Sequence, residues 1–224
     1  MAYNIAIDGP AGAGKSTIAR AVAKKMNLIY VDTGAMYRAI ALFLIRQKTD
    51  LQNQDKIIEQ CKSADVTIRY ENGVQVVYLN GENVNAYLRT EEVGSAASVI
   101  SSIAKVREKL VELQRRLAAE SDCIMDGRDI GTCVLPKAQT KIYLTASSSV
   151  RAKRRFDELT AKGESCELEK IQADIEERDH RDMSREISPL RQAEDAVLVD
   201  TSAMTIQEAV DRIIAICKAA SGSH

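Results

Sequence analysis

Gly9, Gly14, Lys15 and Ser16 stand in "GPAGAGKS" at the spacing G-x-x-x-x-G-K-[ST]. Those residue types in that order suit the holding of phosphate oxygens. Glycines let successive backbone N–H groups turn toward an anion, and a helix beginning near Lys15 presents its positive end. Lys15 then reaches the β and γ phosphates, Ser16 ligates magnesium and Thr17 adds a hydroxyl. The expected ligand is ATP or GTP with magnesium. A glycine-rich turn carrying a solvated lysine is the bland alternative, and the strand and helix that flank the loop speak against it. In "CIMDGRD", Asp126 ends another apolar run, where a carboxylate can hold magnesium through water, with Arg128 just beyond. Read alone, Asp126 is equally an ordinary strand-end residue before Gly127.

Arginine placement carries more. In "EERDHRDMSRE", Arg178, Arg181, Asp182 and Arg185 fall at i, i+3, i+4 and i+7, so a helix brings all four to one face. Arg151, Arg154 and Arg155 form a second such face. Solvated helices with internal ion pairs explain either cluster taken alone. Beside a phosphate loop they suggest a closing arm, because planar guanidiniums match the oxygens of a migrating phosphoryl group in pairs. His180, between them, reads as an exposed helix residue. No N-K-x-D element for guanine is present. Hydrolysis, transfer and nucleotide sensing all remain open from the loop itself.

These residues need a scaffold. "YNIAID" (3–8) reads as a buried strand running into the loop, and 16–25 carries apolar residues at helical spacing. "LIYVD" (28–32), "CIMD" (123–126), "KIYLT" (141–145) and "AVLVD" (196–200) are short apolar runs separated by helical segments. That pattern predicts five parallel strands joined by crossover helices. Helices are expected through "AMYRAIALFLIRQ", through "NQDKIIEQCKSA", from 90 to 120, and from about 148 to 187 with a break at Lys162 and Gly163. Between 64 and 85 the β-branched runs alternate around two Asn-Gly pairs, the signature of tight antiparallel hairpins. "AASGSH" reads as a frayed end.

Composition sets outer limits. The 224 residues carry a formal net charge of -1, with 45% apolar and 28% charged residues, as in an ordinary globular protein rather than a polycation. Five dispersed cysteines without a C-x-x-C pair argue against a disulfide framework or zinc site, and two histidines leave little room for a histidine-based triad. The start lacks a basic leader, and "AIALFLI" is too short to span a bilayer. Cytoplasm is the expected location, with neither membrane nor nucleic acid as partner.

"IAIDGPAGAGKST", "VDTGAMYRA", "LRTEEVGSAAS", "VREKL", "DGRDIGT", "KIYLTASS", "ERDHRD" and "SREISPL", in that order, resemble the bacterial cytidylate kinase family of nucleoside-monophosphate kinases. The resemblance covers essentially the whole chain. It implies an α/β P-loop kinase fold in one domain over 1–224. A five-stranded parallel sheet would be flanked by helices, with an antiparallel monophosphate-binding insertion at about 63–90 and a helical lid at about 150–187. It implies the reaction ATP + CMP to ADP + CDP, with dCMP as second substrate, magnesium as cofactor and a monomeric enzyme.

Carried over residue by residue, Gly9, Pro10, Ala11, Gly12, Ala13, Gly14, Lys15, Ser16 and Thr17 would hold the donor, with Arg154 beside it. Arg38 and Arg128 would grip the acceptor phosphate. Thr33 stands where the family often has serine and keeps the hydroxyl. Ser98, Arg107 and Asp129 would face cytosine, while Arg178, Asp182 and Arg185 would close over sugar and phosphates. The catalytic set would be Lys15, Arg128, Arg178 and Arg185, with Ser16 and Asp126 at the metal. Rival readings are the same fold acting on UMP, AMP or dephospho-coenzyme A, and a non-enzymatic nucleotide sensor.

Overall fold

The computed structural model describes residues 2–221. β1 (Asn4–Asp8) leads into α1 (Lys15–Met26), β2 (Ile29–Asp32), α2 (Thr33–Arg46) and α3 (Gln54–Cys61). Three antiparallel strands follow, β3 (Val66–Glu71), β4 (Val74–Leu79) and β5 (Glu82–Asn83), and then α4 (Glu91–Ile100) and α5 (Ala104–Glu120). β6 (Cys123–Gly127) precedes a π turn over Ile130–Val134, and β7 (Thr140–Thr145), α6 (Ser148–Ala161), α7 (Leu168–Ser184), β8 (Val197–Asp200) and α8 (Ile206–Ser221) complete the order. The expected frayed end falls, from Gly222 on, outside the described residues.

All five apolar runs become parallel strands of one sheet, ordered β2-β6-β1-β7-β8. Their side chains alternate between two cores, as period 2 requires of strands covered on both faces. Ala6, Val31 and Met125 pack with α2, α4 and α5, whereas Ile5, Ile7, Ile124 and Ile142 pack with α1 and α8. β8 lies at the sheet edge, where Leu198 is 54% exposed.

Both Asn-Gly pairs do what their chemistry allows. Asn72-Gly73 and Asn80-Gly81 each hold two successive positive φ angles, closing β3 to β4 and β4 to β5 with tight turns. The small sheet is tied to the large one by Gln75. Its Oε1 accepts the N–H of Asp32 at 2.8 Å and its Nε2 donates to the Asp32 carbonyl at 3.2 Å. One side chain thus supplies both hydrogen bonds that a neighbouring strand would give to the end of β2.

Two helical expectations need correction. The stretch from 90 to 120 is two helices, broken at Ser101–Ile103, where the Ile103 N–H still donates to Ile100 O but the backbone of Ile103 is extended. Arg185 also lies beyond α7, with ψ of 140°. The chain doubles back there, and the Leu190 N–H donates to the Asp182 carbonyl at 2.7 Å.

At the end of β1, Gly9 has φ of +147°, and a Cβ there would lie 1.9 Å from the carbonyl oxygen of Leu144 on β7. The phosphate loop leaves the sheet by passing directly against a neighbouring backbone, which cannot yield. Gly9→Ala should therefore destabilise the fold by roughly 3 kcal/mol or more, read as a lowered midpoint in urea unfolding; an unchanged midpoint would contradict this packing.

Candidate active site

The C-terminal ends of the parallel strands open into a cleft, the usual ligand position in such sheets. A cavity of about 900 Å³ runs between the phosphate loop, the start of α2, α4 and the α6–α7 arm. At one end, α1 begins without a side-chain cap, because Gly14 in left-handed conformation precedes it. Its first N–H groups therefore lack the partner that most helices supply from their own sequence, and they form a ready anion site. Lys15 is buried there and donates to the carbonyls of Gly9 and Pro10 at 2.6 and 2.7 Å. Burial, then the neighbouring positive charge of Arg128, push its pKa well below the ordinary lysine range.

Asp126 lies at the floor. Ser16 Oγ donates to its Oδ2 at 2.9 Å, and the Tyr30 hydroxyl donates to its Oδ1 at 2.8 Å. Burial, and then repulsion from Asp32, raise the Asp126 pKa. A cation beside the Ser16–Asp126 pair would relieve both effects. Hard oxygen donors are the chemistry magnesium selects, and magnesium draws most of its shell from water and phosphate. Among the described residues no cluster of three His, Cys, Asp or Glu could hold a metal alone. The residues present fit magnesium bound mainly through a nucleotide.

Across the cleft, guanidiniums meet carboxylates one by one. Arg107 and Asp129 form a buried ion pair, with the Arg107 guanidinium 5.9 Å from the centre of the Tyr37 ring. Arg128 Nε donates to Asp182 at 2.8 Å. Burial alone would raise the Asp182 carboxyl, but the Arg128 guanidinium overrides it and holds the pKa below the usual range. Asp32 caps α2 through the Ala35 N–H at 2.9 Å, accepts from Arg89 at 2.8 Å and lies 4.0 Å from Arg38. Arg151 is wholly engaged in structure. It donates to the Ala11 carbonyl at 3.0 Å, to the Ala146 carbonyl at 2.9 Å and bidentately to Asp179, tying the phosphate loop to α6 and α7.

Pairing is incomplete for two arginines. Arg178 Nε and Arg185 Nη2 are buried on the cavity wall without a hydrogen-bond partner. Burial, with Arg128 close by, lowers the Arg178 pKa to about 10. Unpaired, buried guanidinium N–H groups are costly. Anionic oxygens placed beside Arg178 and beside Arg185 would satisfy them.

Of the residues expected from sequence, Ala11, Gly12, Gly14, Lys15, Ser16, Thr17, Thr33, Arg38, Ser98, Arg107, Asp126, Arg128, Asp129, Arg154, Arg178, Asp182 and Arg185 all line this cavity. Gly9, Pro10 and Ala13 lie behind its wall, where two of their carbonyls hold Lys15. The Thr33 hydroxyl donates to the Asp126 carbonyl at 2.7 Å, so it fastens α2 to β6. Arg154 donates to Thr201 O at 2.8 Å. Arg181 does not share the arginine face. It is exposed and its nearest carboxylate is Glu177, at 3.6 Å. The sequence reading did not single out Asp32 and Arg89, which line the cavity, Tyr30, which holds Asp126, or Asp8, which ends β1 behind the cavity wall. Asp32 was detectable only as a carboxylate ending an apolar run, as Asp126 does.

The cytidylate kinase family profile matches residues 5–219. A cytidylate kinase of Desulforamulus reducens is 51% identical over 210 residues, covering 94% of this chain and 94% of its own length. That of Caldicellulosiruptor bescii is 47% identical over 211 residues, covering 94% and 93%. That of Bacillus cereus is 44% identical over 213 residues, covering 95% of each. Among solved structures, a shikimate kinase from Bacteroides thetaiotaomicron superposes with a TM-score of 0.50 at 14% identity, over 96% of this chain and 98% of its own. That likeness is one of fold.

Asp8 generates a pH prediction. Burial raises its pKa from 3.8 to about 6, against the lowering effect of hydrogen bonds from Gly131 and Ile130. Unfolded chain releases the proton near 3.8 and folded chain keeps it until about 6, so stability falls as pH rises through that window. The loss from this group is about 3 kcal/mol. Urea unfolding across the window should show this slope in the parent and its absence in Asp8→Asn; parallel curves would contradict it.

Proposed function

The chain belongs to the cytidylate kinase family, and from that premise we propose that its cleft carries the γ-phosphoryl group of magnesium-bound ATP in line to CMP and to dCMP. Phosphorylation of CMP by a nucleotide donor is the family's reaction. The observation that carries the reading to this chain is one cavity lined by both a phosphate loop and the buried Arg107–Asp129 pair.

Each end has its own chemistry. At the donor end, the uncapped start of α1 and Lys15 receive the phosphates, with Arg154 nearby. Ser16 and, through water, Asp126 would hold magnesium, which supplies charge neutralisation at the donor's phosphate oxygens. Lys15 gives up two loop carbonyls to reach those phosphates. At the acceptor end, Arg38 and Arg128 hold the monophosphate, and its oxygen is already anionic near neutral pH, so no general base is required. Arg178 and Arg185 bring their unpaired N–H groups to the charge that spreads during transfer.

Cytosine offers an N4–H donor beside acceptors at N3 and O2. Asp129 accepts the first, Arg107 donates to the others, and Ser98 lies alongside. Uracil would oppose Asp129 with a second acceptor. Asp182 and Arg185 meet the sugar side. The α6–α7 arm acts as a lid that excludes water from the transfer. Its only buried apolar side chain is Ala152, so little apolar packing resists its movement. Asp32 supports Arg38 and connects it, through Gln75, to the antiparallel insertion. We assign the enzyme to the cytoplasm as a monomer that takes no nucleic acid; among the described residues no helix is long and apolar enough to cross a membrane.

ADP formation should depend on CMP or dCMP and exceed the acceptor-free blank, with UMP, AMP, GMP and dephospho-coenzyme A far behind; turnover on another acceptor would overturn the base pocket, and none at all would favour a sensor. Lys15→Met should lower kcat by roughly a hundredfold or more while thermal unfolding is unchanged. Near-normal turnover would remove Lys15 from the donor site. Asp129→Ala should reduce the CMP/UMP ratio of kcat/KM by roughly tenfold or more, and an unaltered ratio would show that another group reads the base.

A further inference from the structure

Asp8 ends the central strand, and its carboxylate reaches the π turn over Ile130–Val134. Oδ1 accepts the Ile130 N–H and Oδ2 accepts the Gly131 N–H, both at 2.7 Å. These are the first N–H groups of the turn, which its own carbonyls cannot reach. The residue placed to cap them is Asp129, of a type that favours capping. Asp129 makes no such bond. Its carboxylate goes to Arg107 and the cleft.

We propose that Asp8 is a positioning residue for acceptor recognition: by capping this turn from another strand, it releases the Asp129 carboxylate to face the substrate and fixes the segment that carries Arg128. The proposal rests on the reading of Asp129 as a base-facing group. Two adjacent N–H donors on one turn need two acceptor oxygens in one plane, which a carboxylate supplies and an amide does not, since its NH2 would oppose one donor. Gly131 permits the approach, because a Cβ there would lie 3.3 Å from Asp8 Oδ2 and 3.2 Å from Lys141 Cδ on β7. The charges acting on Asp8 are Asp129, just before the turn, and Lys15 on α1. A buried carboxylate beside a second aspartate is an expensive way to satisfy two N–H groups if structure were its only use.

The test is steady-state kinetics of Asp8→Asn beside Asp129→Ala and the double variant, with KM measured separately for CMP and ATP. In Asp8→Asn the KM for CMP should rise roughly tenfold or more while that for ATP stays within about twofold, the pattern of a displaced acceptor group. The CMP/UMP ratio should fall, and the double variant should discriminate no worse than Asp129→Ala, since both act through one carboxylate. A KM for CMP and a CMP/UMP ratio at parental values, with only the thermal midpoint moved, would overturn the proposal, as would fully additive loss in the double variant. An unchanged ratio in Asp129→Ala would strike the base-pocket reading instead. Amide hydrogen exchange at Ile130 and Gly131 separates the cases: it needs no substrate, and faster exchange in Asp8→Asn supports the clamp, whereas unchanged exchange refutes it. If Asp8→Asn does not fold, Gly131→Ala crowds the same carboxylate and should raise the KM for CMP in the same way.

Discussion

Charge pairing across the cleft decides where its cations point. A chain of almost zero net charge concentrates Lys15, Arg38, Arg107, Arg128, Arg178 and Arg185 around one cavity. Left alone, such a cluster would repel itself and drive the cleft open. Aspartates prevent this. Asp32 and Asp126 stand at the ends of β2 and β6, Asp129 lies just past β6, and Asp182 reaches in from α7. Each is positioned by backbone that the sheet or a helix end already constrains; Asp32, Asp129 and Asp182 each hold a guanidinium, while Asp126 takes the Ser16 and Tyr30 hydroxyls. The excess positive charge that remains sits on Arg178 and Arg185, whose buried Nε and Nη2 find no hydrogen-bond partner.

Apart from Asp32 and Arg38, these pairs join segments distant in sequence. Arg107 meets Asp129 across α5 and β6, Arg128 meets Asp182 across more than one crossover, and Arg151 meets Asp179 across two helices of the arm. The parallel sheet makes these meetings possible by delivering the carboxyl ends of all its strands to one edge. The small antiparallel sheet joins the same economy through Gln75, which completes the hydrogen bonding of Asp32 and thereby steadies a residue that serves α2, Arg38 and Arg89 together.

Much of this was legible in the chain itself. Strands covered on both faces must be short apolar runs, and all five runs became strands. Asn-Gly pairs tolerate two positive φ angles, and both made hairpins. The phosphate loop combines glycines, lysine and serine that few other structures require together. What failed to show were departures from regular helix and partners distant in sequence. "DMSRE" is compatible with continued helix, and only the return of Leu190 to the Asp182 carbonyl turns Arg185 out of it. Arg181 keeps helical spacing with Arg178, yet it lies on the solvent side because three-residue and four-residue steps straddle the buried edge of α7. Asp8, Asp32 and Arg89 are single polar residues whose importance lies wholly in what the fold places opposite them.

The α6–α7 arm is fastened by ions and hydrogen bonds and buries almost no apolar side chains. Lifting it from the body would hydrate polar groups and expose little hydrocarbon, so it would lack the large positive heat-capacity change that apolar exposure brings.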